Sequence, residues 1–555
     1  MGQRGCLICF AIAAVGCMPA SADPLPQTQA LHCRAPGSPY SDYACLDAYL
    51  GGGFVERLVN YYRLEWGREA PPTDPAAPPG RRPGWPATPV SSPPFPFTEW
   101  PYGGATAIGV TRPSSIDSPL MVALGNTELG RAMNEAHIQL YGWVDLGGNL
   151  STSQVTPGGN SPAADMYSPN TATLDQAVVY LERLPDTVQT DHVDWGFRLS
   201  AIYGEDNRYT TAFGVASYQY LGHNLVNIYD FPMIYGELFF PQISEGLLVR
   251  LGRYGAIPDI EAQLAPITYM YSRSMTYALD NYTNEGLIGT LAITKNWFAQ
   301  AGVTIGTETS VWHWGETVAN PFPNPVFPAH TMPRDPGAVP SLTAALRWQN
   351  DSGHDAIYVV ANGINNGQWG YNNLQWFGGT YYHKFNEQWH LALEVYTLYQ
   401  RGVLNENNPE AQTIIANGGY PFTPANGFNF NAPNFAQCAA SELRCTAQVV
   451  AAVAYLNYKF SPLDNISFRP EFYNDMEGQR TGVKTRYVNL GVGWQHWFSP
   501  QVELRPELAY YRSLDAAAFN GNANPCPASA GCKGSTVAPD KNFALIAAMD
   551  LIWHF

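Results

Sequence analysis

From residue 137 to the C-terminus, apolar and polar side chains alternate with the two-residue period of a strand whose two faces meet different media. Ile138, Leu140, Val144 and Leu146 fall on one face, and Gln139, Tyr141, Trp143 and Asp145 on the other. Val193, Trp195, Phe197, Leu199 and Ala201 alternate with Asp194, Gly196, Arg198 and Ser200. In the last segment Phe543, Leu545, Ala547, Met549, Leu551, Trp553 and Phe555 share one side. The alternation predicts strands at 137–149, 174–184, 193–204, 233–242, 244–254, 284–295, 297–305, 338–350, 354–363, 373–384, 388–401, 446–459, 463–474, 484–497, 500–512 and 541–555. That is about sixteen, an even number.

The connections carry independent information. Brief links such as 386–387 and 499–500 alternate with long ones such as 205–232, 255–283, 306–337, 402–445 and 513–540, and 150–173 falls in phase as a long outer loop. Short turns on one side and long loops on the other, with aromatics near the ends of the greasy face, are how transmembrane barrels are built. The expected fold over 137–555 is therefore all-β, a transmembrane antiparallel β-barrel of about sixteen strands in the bacterial outer membrane. A soluble sandwich or propeller would not need a wet inner face on every strand. Phe555, closing a strand of alternating apolar residues, is expected to act as the assembly signal read by the barrel assembly machinery.

Residues ahead of the barrel differ in pattern. Arg4, the apolar run from Cys6 to Met18 and then Ala20-Ser21-Ala22 have the order of an export signal over residues 1–22, with lipidation at Cys17 as a competing reading. The segment 23–136 is expected to be periplasmic, with one short amphipathic helix over 54–69, where Phe54, Leu58, Tyr61 and Tyr62 recur at a helical turn. Twelve prolines among residues 70–101 then favour an extended linker. It could stay in the periplasm, tether the chain to the envelope, enter the barrel mouth as a partial plug, or be a tail without a partner. Six cysteines remain in close pairs, Cys33 with Cys45, Cys438 with Cys445 and Cys526 with Cys532, which suggests three disulfides in an oxidising compartment.

Composition narrows the function classes. Charged residues are 14% of the chain, and 30 basic against 46 acidic residues give a net charge of −16, which excludes a nucleic-acid binder. Mean hydropathy of −0.19 is too polar for a bundle of membrane helices. Motifs of metalloproteases, serine hydrolases and phosphate-binding loops are missing, so no catalytic residue, cofactor or metal ligand set is expected. His390 with Glu394 could suggest a barrel hydrolase; His390 reads more simply as a lumen residue. The chain has six lysines, too few for a lysine-lined phosphate channel.

Several stretches resemble the OmpL-like β-barrel porin family: Tyr141-Gly142-Trp143-Val144-Asp145, Tyr269-Met270-Tyr271-Ser272-Arg273-Ser274 followed by Thr283-Asn284-Glu285-Gly286, Phe468-Arg469-Pro470-Glu471-Phe472-Tyr473-Asn474-Asp475 with Gly478 and Arg480, and Arg505-Pro506-Glu507-Leu508. The resemblance covers most of 137–555, leaves 23–136 uncovered, and implies an outer-membrane porin without naming a solute.

On this reading the lumen is water-filled and solutes cross by diffusion. By analogy with porins whose third outer loop folds inward, Asp259, Glu261, Arg273 and Asp280 are candidates for one side of a constriction. Parity sends Arg198, Arg250, Arg347, Arg469 and Arg505 inward from the wall, giving facing charges and a transverse field. Glu471 and Glu507, two residues from Arg469 and Arg505, could instead neutralise them in a packed ladder. Expected partners are outer-membrane lipids and lipopolysaccharide, the assembly machinery and small polar solutes, with a homo-oligomer left open. The expected function is a passive diffusion channel for small hydrophilic solutes or ions; the alternative is a non-conducting barrel serving as a structural or adhesion platform.

Overall fold

The computed structural model describes residues 50–65, 82, 84–85, 108, 118–209, 219, 225–255, 259–311, 338–370, 373–416, 435–461, 463–499, 501–521 and 537–555. The export-signal region and Cys33, Cys45, Cys526 and Cys532 lie outside them.

Every predicted strand forms. In chain order they are β1 (Gln139–Ser151), β2 (Ala172–Arg183), β3 (Asp194–Gly204), β4 (Ile228–Asp230), β5 (Ile234–Phe240), β6 (Leu247–Gly255), β7 (Thr283–Ala292), β8 (Trp297–Thr307) and β9 (Ser341–Gln349). They continue as β10 (Asp355–Ile364), β11 (Gln375–Lys384), β12 (Trp389–Leu404), β13 (Arg444–Ser461), β14 (Asp464–Asp475), β15 (Thr485–Ser499), β16 (Val502–Ser513) and β17 (Phe543–His554). Apart from β4 and β5, which both pair with β3, each pairs antiparallel with its sequence neighbours, and β1 closes the sheet against β17, with Leu146 opposite Leu551 and Tyr141 of the same strand opposite Tyr180 of β2. Phe555 completes the seam by exchanging backbone hydrogen bonds with Gly142, 3.0 and 2.9 Å.

The strand β4 lies inside a stretch expected to be loop. It and β5 both pair with β3, so they share one of sixteen wall positions. Pro232 stands between them and has no N–H to give the ladder, which interrupts the strand there.

The two faces separate cleanly. On β15, Val488, Leu490, Val492 and Trp494 are exposed outward while Tyr487, Asn489 and Gln495 are buried inward. The exposed outward tryptophans Trp195, Trp297, Trp389, Trp494 and Trp553 all lie at the strand ends joined by short turns, forming an aromatic girdle at one interface. The inner face is less uniformly polar than the alternation suggests. Tyr141, Trp143, Tyr180, Trp376, Ile546 and Ile552 join one buried cluster with residues of the 259–282 segment, because that segment enters the barrel and needs apolar surface to pack against.

Ahead of the barrel the described residues hold three helices where one was expected: α1 (Phe54–Glu65), α2 (Pro119–Leu124) and α3 (Glu128–Glu135). The extra two are too short for periodicity to announce, but each has its cap: Ser118 Oγ accepts from Met121 N at 3.1 Å and Thr127 Oγ1 from Gly130 N at 3.0 Å. Buried Arg57 of α1 donates to Val122 O of α2 at 3.2 and 3.1 Å, and the Tyr62 ring lies 5.6 Å from that of Trp553. The helices are thus fastened to the β1/β17 seam, with Ser118 Oγ also donating to Leu140 O at 3.0 Å.

Candidate functional site

Between β6 and β7 the chain turns into the barrel. Of residues 259–282 all but Ala262 are buried, although the segment has no strand and only two short helical turns, a 3-10 turn at Ala265–Ile267 and α4 (Met275–Ala278). A buried backbone group left without a partner costs about 1–3 kcal/mol, so an irregular segment survives there only if the wall supplies donors and acceptors.

The wall does so with charged side chains. On β16, Glu507 accepts from Ser272 N at 2.8 Å and from its hydroxyl at 2.6 Å. On β14, Arg469 donates to Ser272 O at 2.6 Å and to Ser272 Oγ at 2.8 Å, and Glu471 accepts from Thr276 N and Oγ1 at 2.6 and 2.7 Å. Arg505 of β16 donates to Ala265 O at 2.6 Å and Thr268 Oγ1 at 2.7 Å while ion-paired with Asp550 of β17. Gln176 Oε1 of β2 accepts from Ala265 N at 3.2 Å, Tyr396 of β12 donates to Thr276 O at 2.6 Å and Trp376 of β11 donates to Asp280 Oδ2 at 2.8 Å. Hydrogen bonds to charged groups contribute about 1.5–3 kcal/mol each. Even with strong non-additivity, such a set exceeds thermal energy several-fold and holds the loop against the wall.

Met270 fills the space left over two inward glycines of the wall. A Cβ at Gly491 would stand 2.9 Å from Met270 Cε, and one at Gly493 2.8 Å from its Cγ, so these inward positions of β15 form the socket for the loop.

A profile of the family described as "Putative beta-barrel porin-2, OmpL-like" matches residues 137–538. The chain belongs to this porin family. It therefore sits in the bacterial outer membrane, crosses it with strands, and is a transport protein rather than an enzyme. No curated protein matches it. Among solved structures it is similar to the anion-selective porin from Comamonas acidovorans, with 10% identity over 75% of this chain and 99% of that one and a TM-score of 0.44. It is also similar to the outer membrane channel DcaP of Acinetobacter baumannii, at 8% identity, 75% and 97% coverage and a TM-score of 0.41. OmpT of Vibrio cholerae gives 10% identity, 75% and 97% coverage and 0.38.

All four loop residues named from the sequence lie inside the porin's barrel. Glu261 accepts from Tyr455 OH at 2.5 Å and Ser274 N at 2.9 Å; Asp280 meets Trp376 as above; Asp259 lies beside Asp280 and Glu394 of β12. Arg273 turns toward the other outer loops, 3.2 Å from Asp165 and 3.0 Å from Asp206. The five wall arginines are all buried inward but divide into two groups. Arg469 and Arg505 bind the loop directly instead of facing it across a gap. Arg469 pairs with Glu507 at 3.3 Å, a contact within the expected quartet, whereas Arg505 pairs with Asp550 of β17. Arg198 and Arg250 pair within the wall, with Glu182 of β2 and with Glu237 of β5 at 2.8 Å, and Arg347 of β9 lies 5.6 Å over the Phe298 ring. Sequence reasoning missed Gln176 and Trp376 as loop partners and Asp550 as the partner of Arg505; inward parity contained the signal, but nothing in one strand tells which residue on a distant segment it meets.

The porin's short-turn mouth has its own occupant. Arg82, from the proline-rich stretch, donates to Val188 O and Gln189 O at 3.0 Å each and to Glu245 O at 2.6 Å, bridging two turns. Trp85 lies 6.0 Å from Phe298, and Ile108 is buried with the inward Phe239, Leu248, Ala292 and Phe298 of β5 to β8. At the other end Cys438 and Cys445 form a disulfide where an outer loop joins β13.

Proposed function

We propose that this porin is a passive diffusion channel for small hydrophilic solutes. The path runs between the inward loop and the arc β3 to β9, which carries Arg198, Arg250 and Arg347, while Asp259, Glu261 and Asp280 of the loop are turned toward β11 to β13. The observation that carries the reading is the division of labour in the wall. Charged residues of β14 and β16 are engaged with the loop, whereas the arginines of β3 and β6 are paired with carboxylates of their own wall and leave that arc lined by fixed ion pairs rather than by loop contacts. The segment 23–136 is read as a periplasmic arm whose Arg82, Trp85 and Ile108 cover that same arc at the periplasmic mouth, a partial plug.

Planar-bilayer recording of the refolded chain tests this. Stepwise conductance is expected, with larger steps or a higher open fraction for the Arg82→Ala/Trp85→Ala variant. A silent barrel in both forms would favour the platform reading. Unchanged conductance in the double variant, with steps present, would leave the arm a tether.

A further inference from the structure

Three buried carboxylates converge where the inward loop meets β12. Asp259 stands at the start of the loop, Asp280 near its end and Glu394 on the wall, and one oxygen from each lies within 4.8 Å of the others. Part of the set is satisfied: Glu394 Oε2 accepts from Ile260 N at 2.9 Å and Asp280 Oδ2 from Trp376 Nε1 at 2.8 Å. Two oxygens are not. Asp259 Oδ1 and Glu394 Oε1 have no hydrogen-bond donor, in residues only 6% and 1% exposed. Among the described residues no lysine or arginine forms an ion pair with any of the three. Arg480, beside them, spends Nε on Leu279 O at 2.8 Å and reaches the backbone O of Asp280 at 3.4 Å. Three carboxyl groups desolvated together with no cation in ion-pair contact are costly, and hard carboxylate oxygens are what calcium-type ions take, at about 2.3–2.6 Å each. Two ligands on opposite sides of such an ion stand at most about 5 Å apart, so one ion can touch all three residues.

We propose that Asp259, Asp280 and Glu394 bind one divalent cation of the calcium type, which clamps both ends of the inward loop to β12. The site requires the folded loop and does not require conduction, so it stands or falls separately from the channel reading.

The test is calcium titration by calorimetry on the full refolded chain after chelator treatment, with terbium as an optical probe because Trp376, bonded to Asp280, can sensitise its emission. Saturable binding of one ion is expected, with terbium emission displaced by calcium. Asp259→Asn should weaken the affinity at least tenfold and Glu394→Gln similarly, while Asp191→Asn at an exposed turn leaves it unchanged. Should Glu394→Gln fail to fold, Asp259→Asn decides alone, since Asp259 Oδ1 has no donor to lose. Absence of saturable binding of either ion, or affinity undiminished in the folded variants, would overturn the proposal and leave the three groups sharing protons.

Discussion

The arginines of β14 and β16 and those of β3, β6 and β9 share a residue type, an inward direction and near-complete burial, yet they do different things. Arg469 and Arg505 each hold a carboxylate with one part of the guanidinium and the loop backbone with another. Arg198 and Arg250 pair with carboxylates of the adjacent strand and lie over tyrosine faces, Arg250 4.2 Å from the Tyr235 ring and Arg198 5.3 Å from Tyr180. What separates them is the irregular segment they meet. On one arc, buried loop carbonyls must be satisfied, and the planar fork of arginine reaches a loop carbonyl and a wall carboxylate at once. On the other, charge is balanced within the wall and the side chains stay as lining.

The comparison breaks most visibly at Glu507. Glu507→Ala should remove two bonds to Ser272 and leave Arg469 buried without its carboxylate, which for a buried pair costs about 3–5 kcal/mol. Urea unfolding in detergent should show that loss, together with larger and noisier conductance as the loop leaves the wall. Arg250→Ala removes the guanidinium bonds to Glu237 and none of the bonds to the 259–282 segment described above, so it should destabilise without raising the noise. Equal noise from both variants would erase the distinction between the arcs.

A smaller effect is expected at the socket. Gly491→Leu forces a side chain into the space of Met270 and should cost about 1–3 kcal/mol by overpacking, shifting conductance in a defined step as the loop is pushed toward β3 to β9. An outward neighbour, Val492→Leu, should change neither. Charge at the lining comes next: Arg347→Gln should move the reversal potential in a salt gradient toward cations by a few-fold change in permeability ratio, with step frequency preserved. A potential unchanged in Arg347→Gln, Arg198→Gln and Arg250→Gln alike would mean that ions do not pass this arc.

The fold was legible in the residues because period two has a direct physical reading: outward Leu490, Val492 and Trp494 must meet lipid, and their neighbours cannot. Parity also placed all five arginines inside. It could not say which would meet the loop, because Ser272 and Arg469 are brought together only by barrel closure. The two Arg-Pro-Glu motifs suggested four charges neutralising one another; the pleat does put Arg469 beside Glu507, two strands away across the small Gly491, but gives Arg505 to Asp550 and Glu471 to the loop. The two helices after residue 117 escaped notice since six and eight residues hold too few turns to reveal a period. The split fourth wall position was written in Phe231-Pro232, which read as a loop end rather than as an interruption.

The smallest expected effect supplies the reference for the buried pairs. At the outer rim Arg486 and Asp515 form the same kind of pair in the open, with Nη2 at 2.7 Å and Nε at 3.0 Å from the carboxylate. Hydrogen bonds from the guanidinium, then from Arg486 N, hold the Asp515 carboxyl down at about 2. A carboxyl depressed in the folded state stabilises above its unfolded value of about 3.9 and loses that contribution as pH falls toward 2. Both groups are solvated, so screening leaves little of it. The Arg486→Gln variant should return the Asp515 midpoint toward about 3.9 by NMR titration while its unfolding at neutral pH matches the parent. If this exposed substitution destabilised the barrel as much as Glu507→Ala does, burial would not be what gives the inner arginines their grip on the loop, and the difference between the two arcs would need another cause.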